Sequence, residues 1–103
     1  MRTLKFNVKQ QTIKKSGDFS NIVSGSSGYL KCQFSFDSEW NGLLKVAEFR
    51  KYLDSDVFPV PVINNACTVP DAVLDGSQWY VNVIGKMGSK QITTNKVLVR
   101  QKV

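Results

Sequence analysis

A strand-like alternation begins, breaks and resumes within residues 29–49, YLKCQFSFDSEWNGLLKVAEF. Its first apolar residues lie two apart, at Leu30, Cys32, Phe34 and Phe36. A period of two places such residues on one face of a β-strand. Turn-forming residues at 37–42 then interrupt the pattern around Trp40, before an apolar-rich segment restarts at 43–49. This pattern predicts two strands joined at a corner. Trp40 is expected to be buried there, because its indole removes a large apolar surface from water. The alternative is an exposed Trp40 that stacks on a base or a sugar.

The same kind of alternation recurs along the rest of the chain and is most regular at residues 78–84. Turn signals rich in glycine, asparagine, aspartate and serine separate the alternating segments. No segment of ten or more residues shows helical periodicity. We therefore expect about seven to nine short strands, arranged as an antiparallel β-sandwich or a small barrel. They are expected to form a single domain over residues 1–103.

Residues 57–63, VFPVPVI, contain two prolines that lie two positions apart. Pro59 and Pro61 each lack a backbone N–H, so neither can donate a hydrogen bond to a partner strand. Their spacing places both missing donors on the same side of the strand. We therefore expect an edge strand here. The edge of a sheet is a place where a strand from a neighbouring molecule can pair.

The predicted core consists of large apolar side chains that fall on the inward phase of these strands or at their ends. They are Trp40, Phe34, Phe36, Phe49, Cys67, Pro70, Leu74, Val81 and Val83. Cys32 and Cys67 are expected to be buried free thiols, with a single disulfide as the alternative. Two cysteines without any histidine cannot complete a tetrahedral zinc site.

Positive charge predominates, with 14 Lys and Arg against 8 Asp and Glu, a net charge of +6. The excess gathers near both ends of the chain. The candidate partner-binding residues are Lys5, Lys9, Lys14, Lys15, Arg100 and Lys102. If the two terminal strands pair, these side chains meet on one side, where they can face an acidic partner or a phosphate backbone. The alternative is a solvated face of edge strands, on which lysine opposes aggregation.

Residues suited to catalysis are scarce. The chain has no histidine, which removes the commonest general base and metal ligand. The GKMGS segment at 85–89 lacks the Lys-Ser or Lys-Thr ending and the following helix of a phosphate-binding loop. Asp71 and Asp75 are explained by a cap and a turn rather than by a carboxylate pair. We therefore expect no enzyme activity and no cofactor.

No apolar run approaches the ~20 residues that span a bilayer, so no membrane partner is expected. Met1 and Arg2 precede a strand-like alternation and not the apolar core of a signal peptide. These features predict a protein that is made and used in a cytoplasm, or released from one.

Three segments, taken together, resemble a pattern in small virion proteins of tailed phages. They are FDSEWNGLLKVAEF, NNACTVPDAVL and YVNVIGKMGSKQITTNKVLV, in this order. The pattern has a strand leading to D-x-x-W, a lysine-bearing strand ending in A-x-F, a C-x-[VI]-P-x-x-[VI]-L segment and a last hairpin. It occurs in domains that resemble the N-terminal part of baseplate upper proteins and in head-fibre and tail-fibre attachment modules. The matching residues are Trp40, Lys45, Ala47, Phe49, Cys67, Val69, Pro70, Val73, Leu74, Gly85, Thr93 and Thr94.

This resemblance implies an immunoglobulin-like β-sandwich in which the matching residues are folding determinants and none is catalytic. It also implies a structural component of a virion, acting as a capsid decoration or as a head-fibre, tail or baseplate attachment module. The implied partners are other virion proteins and further copies of the chain in a homo-oligomer. The implied location is the virion, after synthesis in the host cytoplasm.

A module of the OB type that binds single-stranded nucleic acid is the main alternative. Its candidate stacking residues are Tyr29, Tyr52, Trp79 and Tyr80, and its candidate phosphate contacts are Lys31, Lys45, Lys51 and Lys86. Such a platform needs aromatic side chains beside basic ones on the outer face. Here most phenylalanines alternate in phase with aliphatic residues, which indicates a core position. Carbohydrate binding on Trp79 or Tyr80 is a third hypothesis.

Overall fold

The computed structural model describes residues 1–103 as nine β-strands and two short 3-10 turns. The strands are β1 (Arg2–Lys9), β2 (Thr12–Ser16), β3 (Leu30–Phe36), β4 (Leu44–Arg50), β5 (Phe58–Pro61), β6 (Ala66–Thr68), β7 (Gln78–Met87), β8 (Lys90–Thr93) and β9 (Val97–Arg100). The 3-10 turns, Ser38–Trp40 and Asp71–Val73, follow β3 and β6. The prediction of an all-β sandwich with seven to nine strands is confirmed. No helix in the structure has the length and apolar character needed to cross a membrane.

Two sheets enclose the core between them. The strand order in the first sheet is β2-β1-β3-β6, and in the second it is β5-β4-β7, with β8 and β9 both paired to β7. The ten-residue β7 accommodates both partners because β8 pairs with its second half and β9 with its first half. At the junction between them, Thr94 donates its backbone N–H to Val83 O at 3.1 Å.

One pairing departs from the antiparallel prediction, because β1 and β3 run parallel. β2 folds back from β1 as a hairpin, and residues 17–29 then return the chain to the end of the sheet where β1 begins. β3 consequently runs beside β1 in the same direction, with Cys32 opposite Leu4. Alternation along a single strand carries no information about the direction of its neighbour, so the sequence pattern could not reveal this pairing.

The two terminal strands do not pair with each other, so the arrangement considered for the basic residues is wrong. β1 lies in the first sheet, whereas β9 pairs with β7 in the second. Arg100 lies opposite Gln78, and Lys102 forms an isolated bridge with Val23. The length of β7 provides a pairing site for β9, and this separates the C-terminal charges from those of β1 and β2.

Side chains of both sheets meet in a core that includes Trp40, which is fully buried. Seven of the residues expected in the core are buried: Trp40, Phe34, Phe49, Cys67, Leu74, Val81 and Val83. The other two are half-buried because they lie where the chain leaves a strand or enters a turn. Phe36 ends β3 with its ring centroid 5.2 Å from that of Trp40, and Pro70 precedes the second 3-10 turn. Trp40 is fixed at the corner by its Nε1–H, which donates to Gln10 O at 2.9 Å.

Trp79 is also fully buried, so it offers no platform to a base or a sugar. Its Nε1–H donates to Oε1 of Gln101 at 3.2 Å. The Nε2 group of Gln101 donates in turn to Leu74 O at 3.1 Å and to Gly76 O at 2.8 Å. These bonds satisfy the amide of Gln101, which explains how a polar side chain is accommodated in the core.

Cys32 and Cys67 are buried free thiols that lie opposite each other on β3 and β6. Burial raises the pKa of the Cys32 thiol well above its ordinary value, and the contact with Cys67 raises it further. The two side chains therefore pack as small apolar groups between the sheets.

Candidate binding face on the first sheet

The outward side of the first sheet is basic and polar. In β1, Leu4, Phe6 and Val8 point into the core, so the residues between them face solvent. The same alternation in β2 and β3 brings four lysines to this side: Lys5, Lys9, Lys14 and Lys31. Uncharged polar residues lie between them: Thr3, Asn7, Thr12, Ser16, Gln33 and Ser35. We call these ten residues the basic face.

The register of the strands keeps the four lysines from facing one another. Each lysine pairs only with uncharged residues: Lys5 with Ser16 and Gln33, Lys9 with Thr12, Lys14 with Asn7, and Lys31 with Thr3. Like charges placed directly opposite each other destabilise a sheet, and no such pair occurs on this face. The basic face therefore concentrates positive charge without direct repulsion between paired positions.

No acidic residue lies on the basic face. Seven of the eight acidic residues lie in loops or 3-10 turns, and the one within a strand, Glu48, belongs to the second sheet. The two salt bridges of the chain join Arg50 to Glu48 and Lys51 to Asp75, away from this face. The four lysines thus have no acidic partner within the chain and create a positive potential over the sheet.

Asp18 lies at one end of the basic face, where it shares an open depression of about 390 Å³ with Arg2 and Lys5. Its Oδ1 accepts hydrogen bonds from Ser20 Oγ at 2.6 Å and from Ser20 N at 2.8 Å. These bonds lower the pKa of Asp18, with a further contribution from the charge of Arg2. Arg2 itself donates to the backbone O of Asp18 at 3.3 Å. The acid therefore lies at the margin of the basic face and not at its centre.

Two further depressions lie on the basic face itself. One, of about 310 Å³, is lined by Asn7, Lys9 and Lys14 among others, and the other, of about 140 Å³, lies beside Gln33 and Ser35. Small-molecule sites are usually enclosed and mainly apolar, whereas these depressions are open and polar. The geometry therefore suits contact with another macromolecule better than capture of a small ligand.

The β5 edge of the second sheet is poorly suited to pairing with an added strand. β5 is an edge strand, as its prolines predict. Val62 N donates to Lys45 O at 3.0 Å, so the period of two turns the nitrogens of Pro59 and Pro61 away from β4. The free edge therefore has no N–H donor at these two positions, which weakens the hypothesis that a neighbour adds a strand there.

At the β2 edge of the first sheet, one side chain from the segment between β8 and β9 bonds to the backbone. Asn95, between β8 and β9, accepts a hydrogen bond from Ile13 N at 2.8 Å and donates to Ile13 O at 3.3 Å. Its backbone N–H donates to Gln11 O at 3.2 Å. Asn95 thus occupies the edge N–H and C=O of Ile13, which a neighbouring strand would otherwise use.

The structure brings together three of the six candidate partner-binding residues: Lys5, Lys9 and Lys14. Lys15 lies on the other side of β2, with its Nζ 5.5 Å from the ring centroid of Phe19. Arg100 belongs to the second sheet, and Lys102 Nζ donates to Asn21 Oδ1 at 2.6 Å. These three charges are therefore not part of the basic face.

Lys31 joins the basic face through the parallel pairing of β1 and β3, although the sequence indicated it only for the nucleic-acid alternative. The other lysines of that alternative are dispersed. Lys45 Nζ donates to Leu43 O at 3.1 Å, Lys51 pairs with Asp75 at 2.7 Å, and Lys86 lies on the second sheet.

The candidate stacking residues are also scattered over the molecule. Trp79 is buried, Tyr29 precedes β3, Tyr52 lies between β4 and β5, and Tyr80 lies on the outward side of the second sheet. No tyrosine or tryptophan belongs to the basic face. The lysines of this face therefore lack the aromatic neighbours on which bases stack.

No three Cys, Asp or Glu side chains lie together in an arrangement that could hold a metal ion. The chemistry available on the basic face is hydrogen bonding and charge attraction by side chains that point to solvent. The chain matches no protein-family model and no curated protein.

Proposed function

We propose that this protein is a non-enzymatic structural component of a tailed-phage virion, and that it docks through the basic face onto an acidic surface of a neighbouring virion protein. The observation that carries this proposal is the set of four lysines on one sheet face without an acidic partner. The virion context comes from the resemblance of the chain to phage attachment modules. The candidate positions are the capsid, a head fibre, the tail and the baseplate.

The basic face suits a protein surface because it combines charge with uncharged hydrogen-bonding groups. The amides of Asn7 and Gln33 both donate and accept hydrogen bonds, whereas the lysines only donate. The paired strands hold these groups at fixed spacings, so little backbone conformational entropy is lost on binding. The lysines add a long-range attraction that accelerates association with a partner of opposite charge.

The direct test reverses two charges at the centre of the face. Lys5→Glu combined with Lys14→Glu places acids on the neighbouring strands β1 and β2, and both side chains point to solvent, so the core is unchanged. The matched control combines Lys90→Glu with Lys96→Glu, which makes the same charge change at exposed positions outside the face. Each variant replaces the wild-type copy in an infecting phage, and mass spectrometry measures its amount in purified particles.

We expect the basic-face variant to load onto particles at least about tenfold less than wild type, because reversed charges repel the acidic partner. The control should load like wild type, and thermal melting should show that both variants fold. Equal loading of the two variants would contradict docking through this face. Absence of the wild-type protein from particles would contradict the virion role.

Nucleic acid is a second anionic partner that the same four lysines could contact. Fluorescence anisotropy with a single-stranded oligonucleotide at about 50 and about 200 mM salt separates the two hypotheses, because phosphate contacts weaken steeply with salt. Docking on a protein predicts no tight binding to the oligonucleotide at either salt concentration. Tight binding that falls sharply at the higher concentration, and that the Lys5→Glu/Lys14→Glu variant loses, would favour nucleic acid instead.

A further inference from the structure

We propose that two copies of this chain dock face to face through the outward side of the second sheet, where an exposed apolar patch lies. The patch consists of Leu44 and Val46 on β4, Ile84 on β7, and Pro59 and Pro61 on β5. Leu44 is 80% exposed. Because the patch and the basic face belong to different sheets, this inference can fail without affecting the proposed function, and the reverse also holds.

The apolar patch is continuous across three strands. Val46 lies at its centre, paired with Pro61 of β5 on one side and with Ile84 of β7 on the other. The patch borders an open depression of about 300 Å³ that is also lined by Glu48 and Lys86. The solvent side of an antiparallel sheet is normally polar, as it is on the first sheet. A contiguous row of aliphatic and proline side chains therefore marks an interaction surface.

The charges at the two ends of the patch favour a second copy as its occupant. Glu48 lies two residues beyond Val46 along β4, and Lys86 lies two residues beyond Ile84 along β7 at the opposite end of the patch. A two-fold contact that reverses the strand direction brings Glu48 of one copy near Lys86 of the other, and it does so twice. An unrelated partner would have to reproduce both charges, whereas a second copy provides them by symmetry.

Glu48 retains a free oxygen for such a contact. Its Oε1 accepts from Asn82 Nδ2 at 3.1 Å and lies 3.5 Å from the Arg50 guanidinium, and neither contact uses Oε2. Beside it, Asn82 Oδ1 and Arg50 Nε are buried without hydrogen-bond partners. Because buried polar atoms are normally paired, this side of the sheet leaves one acceptor and one donor unsatisfied in the single chain.

Net charge is compatible with this mode of docking. A chain of charge +6 opposes self-association if its basic surfaces meet. Docking through the second sheet avoids this, because the first sheets of the two copies then lie on the outside of the dimer. Both basic faces remain free, so the dimer would present two of them.

The size of the patch predicts a weak dimer. With strands ~4.8 Å apart and a rise of ~3.4 Å per residue, β5, β4 and β7 present a surface of about 15 by about 24 Å. Standard interfaces bury about 800 Å² per partner, which is more than this surface can supply. We therefore expect a dimer that exchanges rapidly and forms at high protein concentration.

Sedimentation equilibrium of the full chain over a concentration series tests the dimer. We expect the average mass to rise from the 11.6 kDa monomer toward twice that value as the concentration approaches about 1 mM. Leu44→Glu, at an exposed position, should weaken dimerisation at least about tenfold by burying a charge in the contact. Leu53→Glu, in the exposed loop between β4 and β5, is the control and should dimerise like wild type. A wild-type chain that stays monomeric throughout, or a Leu44→Glu variant that dimerises like wild type, overturns the proposal.

A pair of charge reversals tests the two-fold arrangement itself. Lys86→Glu and Glu48→Lys should each weaken self-association, because each places like charges opposite one another across the contact. An equimolar mixture of the two variants restores opposite charges at both positions and should associate at least about tenfold more tightly than either variant alone. Urea unfolding of Glu48→Lys checks that loss of the bond to Asn82 has not unfolded the sheet. If two folded variants gain nothing on mixing, the proposed contact is wrong.

Discussion

The indole of Trp40 lies directly against the backbone of Gly85 on β7. A Cβ atom placed on Gly85 would lie 2.7 Å from Trp40 Cζ3 and 2.9 Å from Leu43 Cδ1. Carbon atoms pack best at about 3.5–4.0 Å, so no side chain fits between the strand and the corner. This close approach explains a glycine in the middle of a strand, where its lack of a side chain is otherwise unfavourable.

Gly85→Ala should therefore lower the free energy of unfolding by about 1–3 kcal/mol, the usual cost of overpacking a core. Urea unfolding followed by tryptophan fluorescence measures the change. Gly76→Ala is the matched control, because no atom lies within 4 Å of its Cβ position and its backbone is not left-handed. Equal stability of the two variants would show that the indole can move aside without cost.

Local alternation was sufficient to predict the strands around this contact, and the large apolar surface of the indole predicted the burial of Trp40. Trp79 falls in phase with Val81 and Val83 and is buried with them. The stacking role considered for Trp79 is wrong for that reason. Period two places a residue on a face, and a residue in phase with valines belongs to the core side.

The arrangement of the strands could not be predicted in the same way, because it depends on contacts between distant residues. Asn95 bonds to Ile13 across 82 positions of sequence, and an exposed asparagine in a loop gives no sign of such a partner. Lys31 reaches the basic face because β3 pairs with β1 in the same sheet. Half of the candidate partner-binding residues lie together on the basic face, and the other half lie elsewhere on the molecule.

Asn95→Ala should destabilise the fold by about 1–2 kcal/mol, because it leaves the N–H and C=O of Ile13 without partners at the edge of the sheet. The amide hydrogen of Ile13 should also exchange faster with solvent, which NMR measures directly. Gln91→Ala, at an exposed position on β8, is the control and should leave that exchange rate unchanged.

Asn95→Asp separates the contributions of the two hydrogen bonds between the Asn95 side chain and Ile13. A carboxylate still accepts from Ile13 N but cannot donate to Ile13 O, so its stability should lie between wild type and Asn95→Ala. If the amide hydrogen of Ile13 exchanged at the wild-type rate in Asn95→Ala, the bonds from Asn95 would not protect this edge of the sheet.

Asp18 should titrate below the ordinary range of an aspartate, because the hydroxyl and the backbone N–H of Ser20 stabilise its charged form. A carboxyl group whose pKa is lower in the folded state contributes stability above its unfolded pKa, and that contribution is lost as the pH falls through the folded pKa. NMR titration of the Asp18 carboxyl carbon measures the shift. Ser20→Ala should raise the pKa of Asp18 toward 3.8 while leaving the lowered pKa of Asp75, which depends on Lys51, unchanged. An unaltered Asp18 titration in this variant would assign the shift to another cause.

The thiols of Cys32 and Cys67 should resist alkylation in the folded protein. Both are buried, and burial raises the pKa of Cys32, so little reactive thiolate reaches the reagent. We expect iodoacetamide at a pH of about 8 to label both residues at one slow rate that rises with urea, as global unfolding requires. Ser35→Cys, on the solvent side of β3, is the control and should label rapidly in the native state. Rapid labelling of Cys67 alone, without urea, would show instead that the three-residue β6 detaches from β3 while the rest of the sandwich stays folded.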